Sequence, residues 1–381
     1  MRAFVVGVAG YPTAKEGRGI IYKLGVPDVP CAASAARRMA DWLYVNRDAL
    51  TPKLASIHLL VTDGEADYLR IPYAFQDFPG GPVHPASSDA VERAGEDWVD
   101  SFQEGDSAFC FISGHGAVRA NDAVVFLDDL NSDKRDPWGS HINVTEVARA
   151  FKANQAVRAA YFFVDACQEF SKDFALSNTE SIRIIRPLEQ DQLKYAREKV
   201  LLISAASAGM FAYEGDWPED RKNPLHPSVT IGRFTQVLID ALDGASARFD
   251  DVKWVVDTGK WKLHTDLKYL YGRRVTWTTE PFEPVLLIDQ NNYFPLLVPP
   301  NPRIPIFVLT DPERLMSTYR FHVHDANGIL LISCPLNHPS TWMFDISPSP
   351  HYLIADNGNG QPRQYELKPS GPIFDKRIPV P

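Results

Sequence analysis

"FCFISGHGAV", residues 109–118, starts as a run of large apolar side chains and breaks into Ser113, Gly114, His115 and Gly116. A short continuous apolar run bounded by glycine describes a strand buried on both faces, as in parallel sheets. A second run, "YFFVDACQEF" at residues 161–170, ends the same way, in Asp165, Cys167 and Gln168. In open parallel sheets, ligands gather beyond the carboxyl ends of the strands. His115 and Cys167 therefore stand at the ends of two buried strands, where a reaction centre is expected.

Three more runs read as strands of the same sheet: "AFVVGVAG" (3–10), "ASIHLLVTD" (55–63) and "KVLLISAA" (199–206). Helical periods lie between them. Ala32, Ala35, Ala36, Met39 and Leu43 fall on one stripe, as do Val91, Ala94, Trp98 and Phe102, with Ser87 or Ser88 placed to cap. "NVTEVARAF" (143–151) offers Asn143 as a cap with Glu146 three residues on. "GRFTQVLIDALDG" (232–244) gathers Phe234, Val237, Leu238 and Ala241 on one face and closes at Gly244. The alternation predicts an α/β domain over residues 1–297, a mostly parallel sheet flanked by helices. Proline then crowds "FPLLVPPNPRIP" (294–305), which predicts a linker over 298–305. From 306 to 381 the pattern becomes short alternating strands, with Asn327-Gly328 as a turn, which predicts a small antiparallel β-sandwich-like domain.

A net charge of −9 with no basic stripe argues against a nucleic-acid partner. No run approaches the roughly 18 apolar residues of a membrane span, and "MRAFVVGVAGYP" is too short for a secretory leader. Cys31, Cys110, Cys167 and Cys334 are scattered, with no CxxC pair, so a reducing cytoplasm is the expected compartment.

A thiol and an imidazole meeting at neighbouring strand ends form a nucleophile and its base. Glycines around His115 let a peptide backbone approach closely, and the N–H groups of Cys167 and Gly116 are placed to hold a developing oxyanion. Either signal alone is weak, because a lone buried cysteine is usually a small core residue. The pair, with a helix between, is far more specific. Its separation fits the roughly 50 residues by which the histidine precedes the cysteine in caspases.

On "FCFISGHG", "YFFVDACQ" and "KVLLISAASAGMFAYEG…GRFTQVLIDAL", the chain resembles the caspase and metacaspase superfamily, its prokaryotic members above all, over residues 1–297. "DACQE" departs from the caspase signature by lacking its leading Gln and trailing Gly. The resemblance implies His115 as general base, Cys167 as nucleophile, and protein or peptide substrates. Glu214 falls where caspases carry the arginine that binds an acidic substrate side chain. Asp165 matches the metacaspase aspartate that lines a pocket for Arg or Lys, and Asp63 is a candidate second acid by similarity. Cleavage after Arg or Lys is therefore expected, since carboxylates in a partly dry pocket favour a cation. The rival reading is a catalytically silent scaffold of the same fold.

In caspases the loop after the nucleophile is cut on activation. The matching stretch, residues 169–199, has no strong period, and loops that long are usually functional or disordered. Arg183, Lys194 and Arg197 are the candidate processing sites, acted on in trans or by an upstream protease. Pro187 disfavours cleavage after Arg186. No resident metal or cofactor is expected. The acidic stretch "LDDLNSDKRD" (127–136) could bind the Ca²⁺ that many metacaspases require, but it lacks the EF-hand order and reads better as a solvated loop. His322, His324, Cys334 and His338 cluster in sequence without a familiar zinc pattern.

Overall fold

The computed structural model describes residues 1–63, 83–186, 196–218, 228–259, 262–274, 283–289, 294–334, 341–358, 361–369 and 371–380. The chain opens with β1 (Arg2–Val8), α1 (Pro30–Val45), β2 (Ser56–Thr62), α2 (Ser88–Asp100) and β3 (Asp106–Gly114). Next come β4 (Gly116–Arg119), β5 (Asp122–Phe126), β6 (His141–Asn143), α3 (Val144–Phe151), β7 (Val157–Ala166) and α4 (Lys172–Leu176). After these run β8 (Val200–Ser204), β9 (Glu214–Pro218), β10 (Ser228–Gly232), α5 (Arg233–Asp240), β11 (Ala247–Phe249) and β12 (Trp254–Asp257). Then follow α6 (Lys262–Arg274), β13 (Val285–Ile288), β14 (Pro295–Leu297), β15 (Ile304–Asp311), β16 (Arg320–Asp325) and β17 (Leu330–Cys334). The last strands are β18 (Trp342–Ile346), β19 (His351–Asp356), β20 (Arg363–Leu367) and β21 (Phe374–Pro379).

Two compact units emerge: Met1–Ile239 with Thr258–Leu296, and Asp240–Asp257 with Leu297–Pro381. The first is a mixed α/β structure built on a six-stranded sheet ordered β13-β8-β7-β3-β1-β2. Its strands run parallel except β13, which pairs antiparallel with β8. All five strands read from apolar runs are present. They are buried on both faces, with Phe4, Phe109, Phe111, Phe162 and Phe163 fully enclosed. The alanine stripe of α1 has a packing reason: a Cβ on Gly7 of β1 would lie 2.5 Å from the Ala36 Cβ. Small residues on both elements let helix and sheet approach closely. Asn143 caps α3 by accepting the Glu146 N–H at 2.9 Å. Gly244 closes the turn after α5 at φ 141°, a conformation open to glycine.

The second unit contains the sheets β18-β15-β21 and β17-β16-β19-β20 and the antiparallel pair β11-β12. Ile304, Ile306 and Val308 from one sheet, and Phe321, Val323 and Leu353 from the other, share one apolar core. The strand start at Ile304 overlaps the expected linker, and Pro305 pairs with Asp345 inside the ladder. Proline is tolerated there because β21 joins β15 only from Ile306 onward, so one side of Pro305 needs no donor. Residues 240–257 group with this unit instead of with the flanking α/β elements, which no local pattern signals.

Candidate active site

β3 and β7 lie side by side and parallel, with Ser113 opposite Asp165 and Gly114 opposite Ala166. The same offset returns beyond the strands, where Ala117 bridges Glu169. His115 and Cys167 therefore stand opposite each other at the carboxyl edge of the sheet. Gly116 is pressed against this point: a Cβ there would lie 2.2 Å from the Cys167 carbonyl oxygen. Only glycine fits between the two strand ends.

His115 is held from three sides. Its Nε2 bonds the Pro27 carbonyl at 2.9 Å, which requires the proton on Nε2 and leaves Nδ1 as the basic nitrogen. Its backbone N–H donates to the Tyr11 hydroxyl at 2.8 Å, and the two rings pack 5.1 Å apart. Burial lowers its pKa below the ordinary value, against the Pro27 bond and the charges of Glu169 and Asp28, which raise it. Burial thus favours the uncharged imidazole. Pro27 and Tyr11 escaped the sequence reading. A main-chain carbonyl has no side-chain signature, and "GYP" reads as an ordinary turn.

Cys167 is half-buried, and its thiol is pushed up by burial while the Ala212 N–H pulls it down. That N–H donates to Sγ at 3.2 Å. Gln168 ties the backbone next to Cys167 in place. Its N–H donates to the Met210 carbonyl at 2.9 Å, and its buried Nε2 donates to the Ala206 carbonyl at 2.6 Å.

Asp165 is 5% exposed, and burial raises its carboxyl to about 6. Its Oδ2 accepts both the N–H of Thr235, at 3.3 Å, and that residue's hydroxyl. No cation pairs with it among the described residues. Glu214 is exposed and pairs in register with Gly232, the residue against which Asp165 is packed. Cys31, buried in the first turn of α1, feels the charges of Asp165 and Glu214 and the Cys167 thiol, so these four groups converge. Asp63, the expected second acid, stands apart from Asp165. It follows β2, the edge strand three positions from β7, about 14 Å away at the usual strand spacing. Its carboxylate is ion-paired with Arg37. The structure does not bring it to Asp165.

Residues 74–258 match the family model of the caspase domain. The chain carries a caspase domain. The match supports a place in the caspase/metacaspase superfamily, whose domain is that of cysteine peptidases. The match includes His115, Asp165, Cys167 and Glu214 and leaves out Pro27 and Asp63. No curated protein matches the chain. A crystal structure of a protein from Geobacter sulfurreducens aligns over 77% of this chain and 98% of its own, at 12% identity and a TM-score of 0.39.

Beyond Cys167, residues 177–186 are docked onto the body of the first unit. Arg119 donates to the Ser177 and Thr179 carbonyls at 2.9 and 2.6 Å. The Thr179 hydroxyl donates to Asp136 at 2.6 Å, and the Ile182 N–H donates to the His141 carbonyl at 3.0 Å. Ile184 is buried against Gly95 of α2, where a Cβ would meet it at 2.7 Å. Arg183 lies between these two anchored isoleucines, exposed and paired with Glu180. Arg197 is exposed and gives its N–H to the Lys152 carbonyl, while Lys194 lies outside the described residues.

The acidic stretch is committed to protein donors. Asp128 accepts from the Thr62 hydroxyl, Asp129 from Ser88, and Asp133 from the Arg135 N–H. In the second unit, His322 bonds the Ser333 hydroxyl and His324 the Gly328 carbonyl. Cys334 faces the opposite side, into the core beside Phe321, and His338 lies outside the described residues. Among the described residues, no helix is long and apolar enough to cross a membrane.

Proposed function

We propose that this chain is a cysteine endopeptidase that cuts protein substrates after Arg or Lys. In the proposed chemistry His115 Nδ1 takes the Cys167 proton as Sγ attacks the scissile carbonyl. The Pro27 carbonyl holds the Nε2–H and steadies the imidazolium that forms. The N–H groups of Cys167 and Gly116 receive the oxyanion, and His115 then returns its proton to the leaving amine. Water, activated by the same imidazole, releases the acyl group from sulfur.

One observation carries the specificity. Asp165, two residues before the nucleophile, is a buried carboxylate with no counter-cation among the described residues. Both of its described hydrogen bonds go to Oδ2, so Oδ1 remains for a guanidinium or ammonium. Glu214, on the rim, adds negative charge and disfavours an acidic P1 residue. In this reading Asp63, already ion-paired with Arg37, is left out of the pocket.

Activation by cutting the loop after Cys167 belongs to the same proposal. Residues 177–186 would have to leave Arg119, Asp136 and His141 before Arg183 could extend into a second molecule's cleft. Arg197 and Lys194 are the remaining candidates, in trans or through an upstream protease. A peptide library and N-terminal mapping of the incubated protein test the whole reading, with Cys167→Ala as control. Cleavage should follow Arg and Lys, and new N-termini should arise after Arg183, Lys194 or Arg197 only in the active protein. Hydrolysis surviving in Cys167→Ala, or a preference for P1 Asp, would overturn it. An electrophilic peptide that fails to label Cys167 would favour the silent scaffold.

A further inference from the structure

We propose that Thr235 is the positioning residue that holds Asp165 ready for a cationic substrate side chain; this rests on the pocket reading above. Thr235 is the third residue of α5, where backbone N–H groups have no partner within the helix. Asp165 supplies that partner from the end of β7, accepting the Thr235 N–H at 3.3 Å on Oδ2. The Thr235 hydroxyl donates to the same oxygen. Gly232, just before the helix, completes the cradle, since a Cβ there would lie 1.9 Å from Oδ2.

Two consequences follow. Concentrating both donors on Oδ2 fixes the carboxylate plane and leaves Oδ1 as the acceptor for a substrate cation. The same bonds also favour the charged form. Burial raises the Asp165 carboxyl, and the two Thr235 bonds are the contributions that lower it. The neighbours that feel its charge are Cys31 from α1, Tyr271 from α6 and Cys167 just past its own strand, and Glu214 of β9 stands in the same cluster. None is a cation. Arg233, in the same turn as Thr235, gives its guanidinium to Gln236. Thr235 is thus the group that keeps a buried acid ionised without occupying its binding side.

The test is binding to Cys167→Ala protein, which does not consume the ligand. Two peptides are titrated by calorimetry, one with Arg at P1 and one with the uncharged isostere citrulline. The parent protein should prefer the Arg peptide. Thr235→Ala should cut that preference about tenfold, the value of a hydrogen bond to a charged group. It should also move the pH at which Arg binding is lost upward from about 6. Thr235→Ser, which keeps the hydroxyl, should restore both. If Asp165→Asn abolishes the preference while Thr235→Ala leaves it intact, or if Thr235→Ala weakens both peptides alike, the positioning role is wrong and the pocket stands. If the parent shows no preference, or Asp165→Asn leaves it unchanged, the pocket reading itself fails.

Discussion

Asp63 and Asp165 look alike in the sequence. Each follows or ends an apolar run in the same parallel sheet, and each sits at the edge where ligands gather. The structure gives them opposite fates. Asp63, on the edge strand, meets Arg37 and is neutralised by it. Asp165, on an interior strand between β3 and β8, is buried with two donors from one threonine and no cation among the described residues. A carboxylate that has found its counter-charge has little left to offer a ligand. One that is buried, ionisable and half-satisfied is held in a costly state, and such states cluster at functional sites.

The sharpest break of this contrast is kinetic. On a P1 Arg substrate, Asp165→Asn should lower kcat/KM by about 10²- to 10³-fold, the range expected when one partner of a buried charge pair is removed. Asp63→Asn should change it by less than about threefold, because its charge is already paired with Arg37. Equal losses from the two variants would show that Asp63 lines the pocket after all.

The sheet and its carboxyl edge were legible because they are written in contiguous residues. Continuous apolar runs gave the strands, and the break into His115 and Cys167 marked their ends. The partners of those ends were not legible. Pro27 contributes a carbonyl, Ala212 an amide, and Thr235 a helix-start hydroxyl some 70 positions from Asp165. Main-chain groups leave no trace in composition, and long-range pairing of a threonine has no period. Arg37 was hidden for a different reason: on α1 it reads as one of two adjacent arginines on a solvated helix face. The docked loop was missed because "SNTESIRIIRP" is held by single contacts, without helix or strand.

A second test sharpens the contrast through stability, with the sign set by ionisation. Asp165 binds its proton up to about pH 6 in the native state, whereas an unfolded aspartate loses it near its ordinary value of 3.8. Between those values the native state holds more protons, so the contribution of Asp165 to stability falls as pH rises. Above pH 6 the full penalty is present, about 3 kcal/mol for a shift of about two pH units. Asp165→Asn should therefore raise the unfolding free energy by about 2–3 kcal/mol at pH 7.5. The gain should vanish near pH 4. Denaturant melts at the two pH values measure it, and a variant less stable at pH 7.5 would mean that Asp165 is a structural carboxylate first.

The smallest expected effect is on Asp63, and its sign is reversed. Its ion pair with Arg37 joins the end of β2 to α1, with side chains 17% and 15% exposed. Removing the carboxylate leaves a largely covered guanidinium short of one partner, so Asp63→Asn should destabilise by about 1 kcal/mol. Part of this loss should fade in 1 M salt, where the Debye length shrinks to about 3 Å. A stabilised variant would place Asp63 with Asp165, as an acid held in an unfavourable state for a ligand. A loss unaffected by salt would point instead to packing of the Arg37 stem against α1, and the contrast would then rest on burial alone. Pairing Asp63→Asn with Arg37→Ala in a double-mutant cycle isolates the ion-pair contribution, because each single change removes the same interaction. A coupling near zero would mean the two charges are neighbours without being partners, leaving Asp63 as available to a substrate as Asp165.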